Sequence, residues 1–164
     1  MVNENDCIII YKSPIGNLHL HCSDVALIKL SFNSFHPNQK GNNISSLLAN
    51  NTILELNAYF EGKLKNFSIP LMPEGTDFRK SVWDQLIKIT YGKTISYQDI
   101  ANRLNNPKSV RAVGSSNGTN PIAIIIPCHR AIGNDGQLTG YAGGIDKKKY
   151  LLELEAPFKQ LSVF

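Results

Sequence analysis

No apolar run in this chain is longer than five residues, as at 122–126, far short of the roughly 20 needed to cross a bilayer. The N-terminus also lacks a basic segment followed by an apolar stretch, so no secretory signal is visible. A soluble, cytoplasmic protein with no membrane partner is expected. Cysteine is scarce: Cys7, Cys22 and Cys128 are an odd number, far apart in sequence, which argues against a disulfide scaffold and suits a reducing compartment. Cys-x-x-Cys and His-Glu-x-x-His spacings are missing, so no metal is expected, and His19 and His21 read as the solvent face of a strand. Neither a P-loop nor a dinucleotide fingerprint is present, so no nucleotide cofactor is indicated. Charge is modest. A formal +4 with a pI near 9.0 permits an anionic partner such as nucleic acid without demanding one.

What is there is a globular composition, 42% apolar, in a length that holds one core or a small domain against a larger one. The expected class is α+β. Residues 1–70 read as a small N-terminal α/β domain of antiparallel strands plus a helix. Residues 76–164 read as a mainly helical domain with a winged-helix-like helix-turn-helix, and Pro70, Pro73 and Gly75 punctuate the join. In the first, CIIIYK, NLHLHCS and VALIKLSF predict a three-stranded meander turned at Ser13-Pro14-Ile15-Gly16. A polar loop over 35–43 then leads to a helix over 44–60, with Leu47, Leu48, Leu54, Tyr59 and Phe60 on its apolar side and Gly62 at its end. In the second, Thr76 or Asp77 caps a helix carrying Phe78, Val82, Trp83, Leu86 and Ile87. Ser96-Tyr97-Gln98-Asp99 opens a short helix as a capping box, and a third helix starts at Asn106 with Pro107 first and stops at Gly118. Residues 122–126 read as a buried strand that runs into Pro127-Cys128-His129-Arg130. A glycine-rich loop and a helix over 146–156 close the chain.

Cys128 follows a proline and is flanked by His129 and Arg130, surroundings in which a thiol pKa is lowered and the nucleophilic thiolate becomes available. The plainer alternative is a buried small hydrophobe, the reading that fits Cys7 and Cys22. On the last helix, at 100° per residue from Leu151, Glu155 falls at about 40°, among the leucines, while Glu153 falls at about 200°. A carboxylate on a buried face needs a partner, and either His129 or an arginine would serve. On the predicted third helix, Lys108, Arg111 and Ser115 share one side, with Ala112, Gly114, Ser115 and Ser116 keeping the surface lean. That side suits close approach to a nucleic-acid groove, or is a plain solvated face.

Several motifs together resemble the O6-alkylguanine-DNA alkyltransferases: Arg111-Ala-Val-Gly114, Asn120-Pro121, Ile126-Pro-Cys-His-Arg130, Gly140-Tyr-Ala-Gly-Gly144 and Leu151-Leu-Glu-Leu-Glu155. The likeness runs from Tyr59-Phe60-Glu61-Gly62 to Ala156, with Ser13-Pro14-Ile15-Gly16 a looser fit. It implies direct-reversal repair of O6-alkylguanine in double-stranded DNA by a monomer, and leaves O4-alkylthymine open as a second substrate. Cys128 would be the alkyl acceptor, His129 its base through a water, and Glu155 the group that holds the imidazole. Tyr97 would donate to the guanine ring, Arg111 would fill the gap left by the flipped nucleotide, and Asn120 would brace the active-site loop. Tyr141, Ala142, Ala131 and Gly143 would line the base pocket, and the helix-turn-helix would enter the minor groove through Lys108, Ala112, Gly114 and Ser115. Ala142 stands where some relatives carry serine, which leaves only its backbone amide for the guanine oxygen. Asn117 replaces an apolar residue on the DNA face, and Thr119 a basic one. A transcription regulator would leave Cys128, His129 and Glu155 unexplained, and a cysteine hydrolase fits adjacent Cys-His poorly.

Overall fold

The meander forms as its alternation predicts. In this computed structural model, which describes residues 6–34 and 46–156, strands β1 (Cys7–Ser13), β2 (Gly16–Cys22) and β3 (Leu27–Ser31) make an antiparallel sheet in that order. Ser13 pairs with Gly16 across the first hairpin, and the Ser13 hydroxyl donates to the Gly16 carbonyl at 2.6 Å. Leu18, Leu20, Leu27 and Leu30 are fully buried on the inner face. His21 departs from its expected place at the solvent. It is 8% exposed and its Nε2 lies 2.9 Å from the buried Asp6 carboxylate, because the register shift between His21 and Cys22 breaks the strict alternation there. Cys7 and Cys22 are cross-strand partners, buried free thiols despite their distance in sequence, and burial lifts Cys22 to about 11.

The helix α1 (Leu47–Phe60) is capped by Ser46, whose hydroxyl accepts from the Ala49 amide at 3.0 Å; the expected loop at 35–43 and the expected helix start at Ile44 lie outside the described residues. Its buried stripe is Ala49, Thr52, Leu56 and Tyr59. Leu47 and Leu54, expected on that side, stand 78% and 65% exposed. Both leucines project from the side of the helix opposite that stripe, and Thr52 can be buried because its hydroxyl donates to the Leu48 carbonyl at 2.8 Å. An open β3 edge would be a template for stray pairing, but two later segments occupy it. Leu27 bonds with Pro70 and Met72, and Leu30 bonds with Pro121 and Ala123.

Downstream, α2 (Asp77–Ile87), capped by Thr76, buries Val82, Trp83 and Leu86 against α3 (Tyr97–Arg103) and α4 (Val110–Gly118). The capping box at Ser96 and Asp99 forms with both bonds present. The two-residue strands β4 (Ile95–Ser96) and β5 (Ala131–Ile132) pair in parallel, and α5 (Ile145–Glu155) closes the fold. Two expectations change. The third helix is divided, a 3-10 turn at Pro107–Ser109 preceding α4, since Ser109 closes an i+3 bond on the Asn106 carbonyl and Asn106 makes no side-chain cap. Asn105, at φ 55°, makes the left-handed bend between α3 and that turn. Residues 122–126 are buried as expected but are not a strand: only Ile122 bridges β3, and the chain then turns.

Gly75 is a packing requirement, because a Cβ there would lie 2.5 Å from the Trp83 ring, which is itself buried with Nε1 donating to the Ser116 carbonyl at 2.8 Å. Gly75→Ala is expected to cost about 1–3 kcal/mol, read as a lower urea midpoint with unchanged slope. Gly118→Ala, where nothing lies within 4 Å, is the control and is expected to hold or gain stability.

Candidate active site

Cys128 is delivered by a strained turn. The Ile125 amide donates to the Ala123 carbonyl at 2.8 Å around Ile124, whose φ is +72°, a conformation costly for a β-branched residue. A second tight turn follows at Pro127, where the Cys128 amide donates to the Ile126 carbonyl at 2.8 Å. Asn120, just past α4, straddles the first turn: its Nδ2 donates to the Ile126 carbonyl at 2.8 Å and its Oδ1 accepts from the Ile122 amide at 3.0 Å. The side chain thus ties the end of α4 to the cysteine loop. Cys128 opens a 3-10 turn (Cys128–Arg130) and is only 4% exposed. Burial pushes its thiol above the ordinary range, and the hydrogen bond from Asn120, the Lys148 charge and two backbone amides offset this only in part. The expectation of a lowered thiol pKa is corrected: burial outweighs the groups that pull it down, and the thiol keeps its proton.

His129 is fully buried, its Nε2 2.8 Å from Glu155 Oε1. Burial would raise the Glu155 pKa, but the hydrogen bonds and charges of His129 and Arg130 outweigh it and hold the carboxyl at about 2. An ionised carboxylate only accepts, so Nε2 carries the proton and a neutral ring leaves Nδ1 as a bare acceptor. Burial, only partly opposed by Glu155, lowers the His129 pKa, which keeps the ring neutral near pH 7. Nδ1 is buried with no protein partner. Both sequence alternatives for Glu155 are realised, since Arg130 Nε donates to Oε2 at 2.8 Å and Nη2 to Oε1 at 2.9 Å. Glu153 is exposed, as its helical position predicts.

Tyr97 begins α3. Its hydroxyl donates to the Thr139 carbonyl at 3.2 Å, and its pKa is raised chiefly by burial, so it keeps its proton. The Asn117 amide approaches that hydroxyl at 3.5 Å, which corrects the sequence reading: Asn117 is 2% exposed, turned inward rather than lying on the outer face of α4. Ser116 is buried too, its hydroxyl bonded to the Ala112 carbonyl. Tyr141 keeps a buried, unpartnered hydroxyl, and burial raises its pKa. Ala131 is fully buried on β5, Ala142 is exposed, and Gly143 is half-buried, where a Cβ would lie 2.7 Å from the Phe32 ring.

Lys108, Arg111, Ala112 and Ser115 are exposed along one side, Gly114 is half-buried there, and Thr119 is exposed at the end of α4. Neither Lys108 nor Arg111 enters an ion pair among the described residues. The sequence reading missed Lys148. Fully buried, it donates to the carbonyls of Ala131 at 2.6 Å and Thr139 at 2.9 Å, so it fastens the glycine-rich loop to β5 beneath the Tyr97 ring. The helical projection that placed Glu155 also puts Lys148 at about 60°, on the same face. Tyr59 was read only as an apolar residue.

Among the described residues no helix is long and apolar enough to cross a membrane. Two family models match the chain: the 6-O-methylguanine DNA methyltransferase ribonuclease-like domain over residues 8–73 and the DNA-binding domain of the same family over 77–157. The methylated-DNA–protein-cysteine methyltransferase of Methanosarcina barkeri is 59% identical over 101 residues, which are 62% of this chain and 64% of that protein. The protein of the same name from Mycobacterium bovis is 46% identical over 145 residues, 87% of this chain and 88% of the relative. A crystal structure of Mycobacterium tuberculosis OGT in complex with DNA superposes with a TM-score of 0.79 at 43% identity, covering 94% of this chain and 96% of that one. With both matched segments and the antiparallel-sheet-plus-helical architecture in agreement, this chain belongs to the 6-O-methylguanine DNA methyltransferase family.

Proposed function

We propose that this protein repairs DNA by direct reversal, moving an alkyl group from O6 of guanine onto Cys128. The observation that carries the reading is the buried Nδ1 of His129, an unpartnered acceptor on a ring fixed by Glu155 beside a thiol that needs a base. A water between Nδ1 and Sγ would pass the thiol proton to the imidazole. Sγ attacks the alkyl carbon, a C–S bond forms and the C–O6 bond breaks. The electron pair moves into the guanine, which Tyr97 stabilises by turning its hydroxyl proton from the Thr139 carbonyl to the base, and the proton taken by His129 goes back through water to the guanine ring. Asn120 holds the loop that carries Sγ, and the exchange balances with no cofactor. A thioether has no easy route back to thiol, so each molecule acts once.

The attack cannot reach a stacked base, so the damaged nucleotide turns out of the duplex into a pocket formed by Tyr141, Ala142, Ala131 and Gly143. The α3–α4 pair acts as the helix-turn-helix of a winged-helix-like C-terminal domain over 76–164, beside an N-terminal domain over 1–70. Its lean face, with Ala112, Gly114 and Ser115, enters the minor groove, where Lys108 meets phosphate and Arg111 fills the vacated stack. The protein works as a monomer in the cytoplasm on double-stranded DNA.

Incubation with O6-methylguanine DNA is expected to add one methyl group per protein by intact mass, and Cys128→Ser to abolish the addition; mass gain that survives the substitution sinks the assignment. Protonating His129 removes the Nδ1 acceptor. Because its pKa lies below 6.5, the single-turnover rate should be flat from about pH 7 to 8 and fall only on the acid side of 6.5. Tyr97→Phe is expected to slow transfer by about 100-fold while DNA affinity changes little, and equal loss of both would argue against its role at the leaving base.

A further inference from the structure

Glu155 is reached from the other end of the molecule. Tyr59, in the last turn of α1, donates its hydroxyl to Glu155 Oε1 at 2.7 Å, across 96 residues of sequence. Oε1 then takes three donors, Tyr59 Oη, His129 Nε2 at 2.8 Å and Arg130 Nη2 at 2.9 Å, while Oε2 takes Arg130 Nε and the Gly92 amide. The Tyr59 ring needs no hydroxyl for its packing, since it is fully buried among Phe60, Phe67 and Tyr91 with centroids 5.4 to 6.2 Å away, where phenylalanine would fit as well. A buried hydroxyl is costly unless it is bonded, and this one is spent on the carboxylate that holds the imidazole.

We infer that Tyr59, a residue from the sheet-bearing N-terminal part of the chain, is a positioning residue for alkyl transfer: its hydroxyl sets how strongly Glu155 draws on the Nε2 proton of His129. The inference rests on the alkyl-transfer reading above. A hydrogen bond into Oε1 disperses the negative charge and makes the carboxylate a weaker acceptor for its other donors. Without it, Glu155 pulls harder on the Nε2 proton and stabilises the imidazolium, so His129 protonates at higher pH and the base is lost sooner on acidification. The charged and titratable groups facing this pair are Arg130 beside both, Tyr91 and Tyr141 near Glu155, and Lys148 of α5 near His129, and none of them changes when Tyr59 loses its oxygen. Burial first and Glu155 second hold Tyr59 in its protonated form, so it acts as a donor throughout.

The test is the pH dependence of the single-turnover rate in the full chain with O6-methylguanine DNA. Tyr59→Phe is expected to move the acid limb up by about 0.5–1 unit, so that the rate at a pH well down that limb falls about 3- to 10-fold while the rate at pH 8 changes much less. Phe60→Leu, which disturbs the same packing without touching a hydroxyl, should leave the limb where it is. Tyr59→3-fluorotyrosine, a stronger donor of the same shape, should move the limb down, and this arm decides the matter if Tyr59→Phe fails to fold. A limb unmoved in both Tyr59 variants, or moved equally by Phe60→Leu, overturns the inference while leaving alkyl transfer intact. Absence of any transfer by the unsubstituted protein overturns the reading beneath it.

Discussion

A carboxylate shut away from water must be surrounded by donors or give up its charge, and Glu155, with its side chain wholly buried, is surrounded. Its five hydrogen bonds come from α1, from the turn after α2 and from the 3-10 turn that begins at Cys128. Removing Glu155 would strand an imidazole, a guanidinium, a phenol and an amide together. Three stretches far apart in sequence therefore meet in one place because each supplies something that a single ion requires. Arg130 is doubly committed, with Nη1 also donating to the Ile89 carbonyl at 2.6 Å and its guanidinium 5.7 Å from the Tyr91 ring centre. The 3-10 turn cannot shift without breaking those contacts, and Cys128 is the first residue of that turn.

Rigidity on the other side of the cysteine has a different origin. Ile124 holds a left-handed backbone that an isoleucine avoids, at roughly 1–3 kcal/mol, and it stays there because Leu30 of β3 grips the chain at residues 121 and 123 and Asn120 spans the turn. Lys148 does the same for the glycine-rich loop, with its ammonium donating to the Ala131 carbonyl of β5 and to the Thr139 carbonyl within the loop. Strain and buried charge are both concentrated within a few residues of the thiol, where a fixed geometry matters most.

Much of this was legible because local rules and the fold agree. The capping box at Ser96, the strand alternation of Leu18 and Leu20 and the inward turn of Glu155 each follow from period or cap chemistry that tertiary contacts left undisturbed. The failures have physical reasons of the opposite kind. Leu47 and Leu54 project from the side of α1 opposite the buried stripe of Ala49, Thr52, Leu56 and Tyr59, and with a small and a polar residue on it that stripe does not stand out as apolar in the sequence. The aliphatic run 122–126 has the composition of a strand, but only one of its residues finds a strand to pair with. Asn117 and Lys148 are polar residues taken inside by partners far along the chain, as are His21 by Asp6 and Tyr59 by Glu155. Such pairings are invisible until the chain is folded.

The burial of Cys128 has a consequence for how long a molecule lasts before it is used. A thiol that is 4% exposed and held protonated by its surroundings presents little thiolate to peroxide or to small soluble electrophiles, which react through that form. Under the single-use reading proposed above, indiscriminate reactivity would waste the protein. In the proposed reaction Cys128 is stored in its inert form, and Nδ1 of the neighbouring imidazole, a buried acceptor with no protein partner, is what releases it. Shelf life and reactivity are thereby separated in one site, the first set by burial and the second by where a proton can go.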